Sequence, residues 1–203
     1  SQHKFPTLFN FLSSNDKLLY YNSISSYINK INEKGLPKTI NNTLFSIKDL
    51  PLLLDINISN LPSSYSFWRK ISSQHGNSFY ISFTFAYIEQ LILSKKTTEI
   101  YALILDLFRL YDFDRSIFVD VDIYKAKISC NILYDYLQCG LYNEAIDYLI
   151  MCYNYGNDFI KLLVIYVKFC IVIYATDVEV HHFHTGSNAN TNYYKENQIN
   201  FLM

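Results

Sequence analysis

The chain has 203 residues, a formal net charge of −1 and a composition that is half hydrophobic, with 19 Tyr and 15 Phe against 5 Gly and 4 Pro. That length holds one domain with a substantial core, and the composition excludes a disordered or low-complexity chain. The near-neutral charge argues against a general binder of nucleic acid or of an anionic membrane surface.

Residues 1–60 read as an N-terminal helical arm and residues 61–203 as the main domain, the two forming a single globular unit. Leu8 to Leu12 is a short apolar patch. Ser13-Ser14-Asn15-Asp16 caps a helix through Leu18, Tyr21, Ile24 and Ile28, and Gly35-Leu36-Pro37 stops it. Ile47 to Leu54 is a second apolar cluster, restricted by Leu50-Pro51. The arm either lies on the domain or is offered to a partner. A helix then begins near Ser78, with Phe85, Ile88, Leu91 and Ile92 on one apolar face. Ser94-Lys95-Lys96-Thr97-Thr98 makes a polar break. Three more helices follow: Glu99 to about Tyr111, Ile123 to Leu137 ending before Gly140 as a C-terminal cap, and Tyr142 to Cys152.

The pattern then changes. Asp158 to Lys168 reads as a helix, Phe169 to Tyr174 as a buried strand of β-branched and aromatic residues, and Val178 to His184 and Gln198 to Met203 as alternating strands. Helices first and strands last point to an α+β class, the helical part packed on a small C-terminal antiparallel sheet. Cys130, Cys139, Cys152 and Cys170 have no metal-ligand spacing and lie in apolar contexts, so they read as four buried reduced thiols. No stretch reads as a signal peptide. The longest apolar run, Ile160 to Tyr174, is too short for a membrane span and contains Lys161 and Lys168. A cytoplasmic protein with no membrane contact is expected.

The most informative stretch runs from Tyr65 to Ile92. A loop carrying Gly76-Asn77-Ser78 leads straight into the helix, so Ser78 sits where unpaired backbone N–H groups and the helix dipole favour negative charge. Read from spacing alone, Ser78 is either a plain N-cap or a nucleophile position. The stretch resembles the nucleophile region of the otubains, the ovarian-tumour-type cysteine deubiquitinases. Their pattern is Tyr-Ser-x-x-Arg-Lys, a short loop, Asp-Gly-Asn-Cys-Phe-Tyr-Arg-Ala-Phe-x-Phe and a helix containing Leu-Glu. Tyr65, Ser66, Arg69, Lys70, Gly76, Asn77, Phe79, Tyr80, Phe83, Phe85 and Glu89 match it. Ser78 stands at the family's nucleophilic Cys, His75 at its Asp, and Ile81 at its Arg. A weaker likeness continues through Met151-Cys152, a helix and strand ending at Asp177, and His182-Phe183-His184-Thr185-Gly186. Residues 199–203 resemble the strand before the family's Gly-His-Tyr-Asp, so on this likeness the catalytic His and its acidic partner would follow Met203.

The resemblance implies a papain-type cysteine protease fold with a binding groove beside Ser78 at Gly76, Asn77 and Phe79; Trp68 is counted with that groove, since aromatics suit a protein interface. A hydroxyl is a far worse nucleophile than a thiolate unless a base removes its proton. With Ser78 and His75 both departing from the pattern, the expectation is a pseudo-deubiquitinase that binds a protein, either ubiquitin or a subunit of a larger assembly. One alternative is an active ubiquitin isopeptidase carrying a Cys-to-Ser trap substitution. The other is a ribosome- or RNA-associated factor that meets nucleic acid only through such an assembly, using a patch of Lys4, Lys17, Lys30, Lys34, Lys38, Lys95 and Lys96. His181, His182 and His184 cluster, and His182 and His184 would share a strand face. No Cys, Asp or Glu is spaced to complete a metal site, so neither a metal nor another cofactor is expected.

Overall fold

The computed structural model describes residues 13–49, 51, 59, 63, 66–72 and 77–174, with only the backbone of 171–174. The expected strands at 178–184 and 198–203, the turn at 175–177 and the three clustered histidines lie outside the described residues. Within them the chain is mostly helical with one small antiparallel sheet, a general α+β arrangement.

Helix α1 (Ser14–Glu33) starts as the sequence directs. Ser13 is extended, and its Oγ accepts from the Asp16 backbone N–H at 3.0 Å. It stops at Gly35, whose φ of 61° opens the left-handed turn that lets the Leu36 N–H reach back to the Ile31 carbonyl. Strands β1 (Phe45–Ser46) and β2 (Phe67–Trp68) pair antiparallel, Phe45 opposite Trp68. Then come α2 (Ser78–Leu93), α3 (Thr97–Phe113), a 3-10 turn at Arg115–Phe118, α4 (Ile123–Gln138), α5 (Tyr142–Tyr155) and α6 (Asp158–Tyr174). Asp122 caps α4 by accepting from the N–H groups of Tyr124 and Lys125. Gly140 and Gly156, with φ of 71° and 67°, end α4 and α5.

One expectation is overturned here: residues 169–174 are not a strand but the last turns of α6. No Gly or Pro interrupts 158–174, and the apolar positions that line the core at Phe159, Ile160, Leu163 and Val164 continue a helical face. A fully apolar run of six residues has no periodicity that separates strand from helix. The described sheet therefore belongs to the N-terminal part of the chain, at residues 45–46 and 67–68.

The core forms where α4 meets α5 and α6, with α1 seated on α4 and α5, and α2 on α5 and α6. Ile24, Phe85, Ile92, Leu107, Leu133 and Phe159 are at most 1% exposed. Helix α1 therefore lies on the domain, held at its rim by Lys17 to Asp135 at 2.6 Å and by the Tyr124 hydroxyl on Asp16. Two hydrogen bonds join polar side chains inside the core: the Tyr153 hydroxyl donates to Thr84 Oγ1 at 2.7 Å, and Asn157 Nδ2 donates to Ser129 Oγ at 3.0 Å. All four cysteines are free, but only Cys130 and Cys152 are buried; Cys170 is intermediate and Cys139 is exposed. Cys139 departs from the expected burial because it is the C-cap of α4, two residues past Leu137 and so turned off the core face.

Candidate functional site: the start of helix α2

Two separate ties build this region. The first is Arg69, just after β2. Its Nη1 donates to the carbonyls of Asn41 and Asn42 at 2.7 and 3.0 Å, and its Nη2 meets Glu89 Oε1 of α2 at 2.8 Å. The guanidinium also lies over the Phe85 ring, 5.4 Å from its centroid. Only 9% of the Arg69 side chain and 20% of the Glu89 side chain are exposed. The planar fork of arginine suits this role, since one group can serve two carbonyls and a carboxylate at once. Arg69 thus joins the segment before β1, the strand β2 and the fourth turn of α2.

The second tie is at the helix start. Asn77 is the N-cap of α2, with φ −98° and ψ 6°, outside the extended region usual for that position. Its side chain makes no capping hydrogen bond. Instead Asn77 Oδ1 accepts from Lys168 Nζ of α6 at 2.8 Å. The same ammonium lies 4.8 Å from the centroid of the Tyr80 ring, a cation–π contact with a buried aromatic. The Asn77 carbonyl closes the first turn by accepting from the Ile81 N–H at 2.9 Å.

Ser78 is the first residue of α2 and is half-buried. The helix start expected at this residue is where the structure has it, and Asn77 rather than Ser78 takes the cap position. Phe79, expected in a binding groove, is 7% exposed and packs against Tyr80 and Phe83, so it belongs to the interior. Trp68 is half-buried, its indole N–H donating to the Ser46 carbonyl at 3.1 Å and its ring 5.0 Å from Phe45. Its polar edge is committed to the sheet. His75 and Gly76 lie outside the described residues, as do all the other histidines.

Three of the lysines proposed as a basic patch are engaged with other side chains, and Lys4 lies outside the described residues. Lys17 pairs with Asp135, Lys96 with Glu99, and Lys95 lies over the Tyr142 ring. Burial pushes the Cys152 thiol from the ordinary 9.0 up to about 12, and Cys130 well above its usual value, so neither is a nucleophile near neutral pH. Among the described residues no group of three or more His, Cys, Asp or Glu side chains converges, and no helix is long and apolar enough to cross a membrane.

Lys168 is the residue of this region that motif reading passed over. Its signal was present all the same: a charged side chain inside the apolar run from Ile160 to Tyr174 needs a partner. No family model, curated protein or solved structure matches the chain.

Proposed function

We infer that the chain is an otubain-like, papain-type domain that acts by binding a protein rather than by cysteine-protease chemistry. Its groove lies at residues 76–78 and ubiquitin is its first candidate partner. The observation that carries this reading is Ser78. It occupies the first position of a buried, well-anchored helix, with a hydroxyl where protease chemistry needs a thiolate. The Arg69–Glu89 pair supports it as well, because two residues of the motif, 20 apart in sequence, are joined through space. A hydroxyl is close to a thiol in size, so the surface that would receive a partner's tail keeps its shape while losing the covalent step. Four free thiols accord with a reducing, cytoplasmic setting.

The test pairs binding with restored chemistry. Purified protein is presented with mono-ubiquitin and linked di-ubiquitins, and Ser78→Cys protein is treated with a ubiquitin whose C-terminus carries an electrophile. The expected result is retention of ubiquitin by the unaltered chain and covalent labelling of the Cys variant at position 78. Absence of both, with each protein folded, would overturn the ubiquitin reading. The domain would then serve as a scaffold within a larger assembly.

A further inference from the structure

We propose that Lys168, held in place by Asn77 and Tyr80, makes position 78 electropositive. Asparagine is among the best N-cap residues because its side-chain oxygen satisfies the first N–H groups of a helix. At the start of α2 that oxygen is engaged elsewhere: Asn77 Oδ1 accepts from Lys168 Nζ at 2.8 Å, and the cap makes no side-chain bond to its own helix. Lys168 comes from α6, 91 residues away, and is fixed from a second direction by the Tyr80 ring at 4.8 Å. Tyr80 is itself 7% exposed, so the platform under the ammonium is rigid. The arrangement has two effects. It withholds from the first turn of α2 the acceptor that asparagine ordinarily supplies, and it sets a positive charge on the side chain adjacent to residue 78. Both favour an anionic atom at that position. The proposal deepens the reading of residues 76–78 as the groove and rests on it.

The test uses Ser78→Cys as a reporter and compares two small alkylating reagents of like reactivity, neutral iodoacetamide and anionic iodoacetate. Modification at position 78 is followed by peptide mass spectrometry, with the exposed Cys139 in the same sample as internal reference. The ratio of iodoacetate to iodoacetamide rates reads the local charge and does not depend on whether ubiquitin binds. Lys168→Met in the Ser78→Cys background should lower that ratio at position 78 by about threefold or more, as expected for removing one nearby charge from a half-exposed site. Lys168→Arg should restore it. Lys168→Gln, which keeps a donor for Asn77 but no charge, should behave as Met does and carries the comparison if the Met variant unfolds. A ratio that stays unchanged in both neutral variants would overturn the proposal. A changed ratio with neither retention of ubiquitin nor labelling by the ubiquitin electrophile would leave Lys168 in its role and sink the ubiquitin reading instead.

Discussion

Arg69 and Glu89 illustrate how a single pair of side chains joins segments that the chain separates. Arg69 is mostly enclosed, and it meets Glu89 at 2.8 Å while also serving the carbonyls of Asn41 and Asn42. Removing one member of such a pair costs more than the pair contributes, because the other charge stays behind without compensation. Glu89→Ala should therefore destabilise the fold by about 2 kcal/mol, less than for a fully dry pair because a fifth of the Glu89 side chain reaches solvent. Glu89→Gln keeps an oxygen for Nη2 and should cost about half as much. Urea unfolding of the three proteins checks both values, and equal midpoints for Ala and the parent would mean that the carbonyls alone hold Arg69. At this scale the sequence was readable in type but not in pairing. The likeness to the otubains singled out Arg69 and Glu89 as motif positions, and the apolar spacing after Gly76-Asn77 marked Ser78 as a helix start. That Lys168 would hold Asn77 was beyond it, because the two are 91 residues apart and no local spacing links them.

Among the elements, the helices with chemical punctuation were the legible ones. Ser13 caps α1, Gly35 ends it, and Gly140 ends α4, each through the geometry those residue types favour. The last turns of α6 were misread as a strand because Phe169 to Tyr174 is apolar throughout, and β-branched content outweighed the missing breaker. Packing settled what propensity did not: α6 touches α2, α3, α4 and α5 along its length. For α1 the open question was whether it lies on the domain, and the answer is carried by side chains such as Ile24, fully buried, and Tyr21, stacked on Tyr148. Ile24→Ala should cost about 3 kcal/mol, the amount typical for truncating a fully enclosed isoleucine. Amide exchange in α1 should accelerate more than in α4 or α5. Uniform acceleration across all helices would show instead that α1 unfolds only with the whole.

The molecule as a whole carries an alkaline weakness. Tyr148 and Tyr153 are buried hydroxyls whose ionisation is pushed up by that burial, alongside Cys130 and Cys152. Each stays protonated in the fold at a pH where the unfolded chain would already have released its proton. Above the ordinary values of 9.0 for thiols and 10.0 for phenols, the unfolded state therefore binds fewer protons than the native one, and stability falls as pH rises. These groups contribute their full stability below pH 9 and lose it progressively towards pH 12, through the value of Cys152. Urea midpoints should be flat with respect to these groups from neutrality to pH 9 and decline beyond it. A midpoint at pH 11 equal to that at pH 8 would contradict the burial argument.

The seating of α1 also has a meaning in time. The helix ends at Glu33, but the surfaces that receive it belong to α4 and α5, which finish at Gln138 and Tyr155. At translation rates of about 5–20 residues per second, roughly 6–25 s pass between the emergence of α1 and the completion of its seat. Until then the face of α1 that carries Ile24 and Ile31 lacks its full native seat, so the nascent chain carries a helix with an uncovered apolar stripe that chaperones could hold. A chain that stops before Tyr155 would be left in that condition permanently, which makes premature termination within α5 a route to aggregation rather than to a smaller folded product.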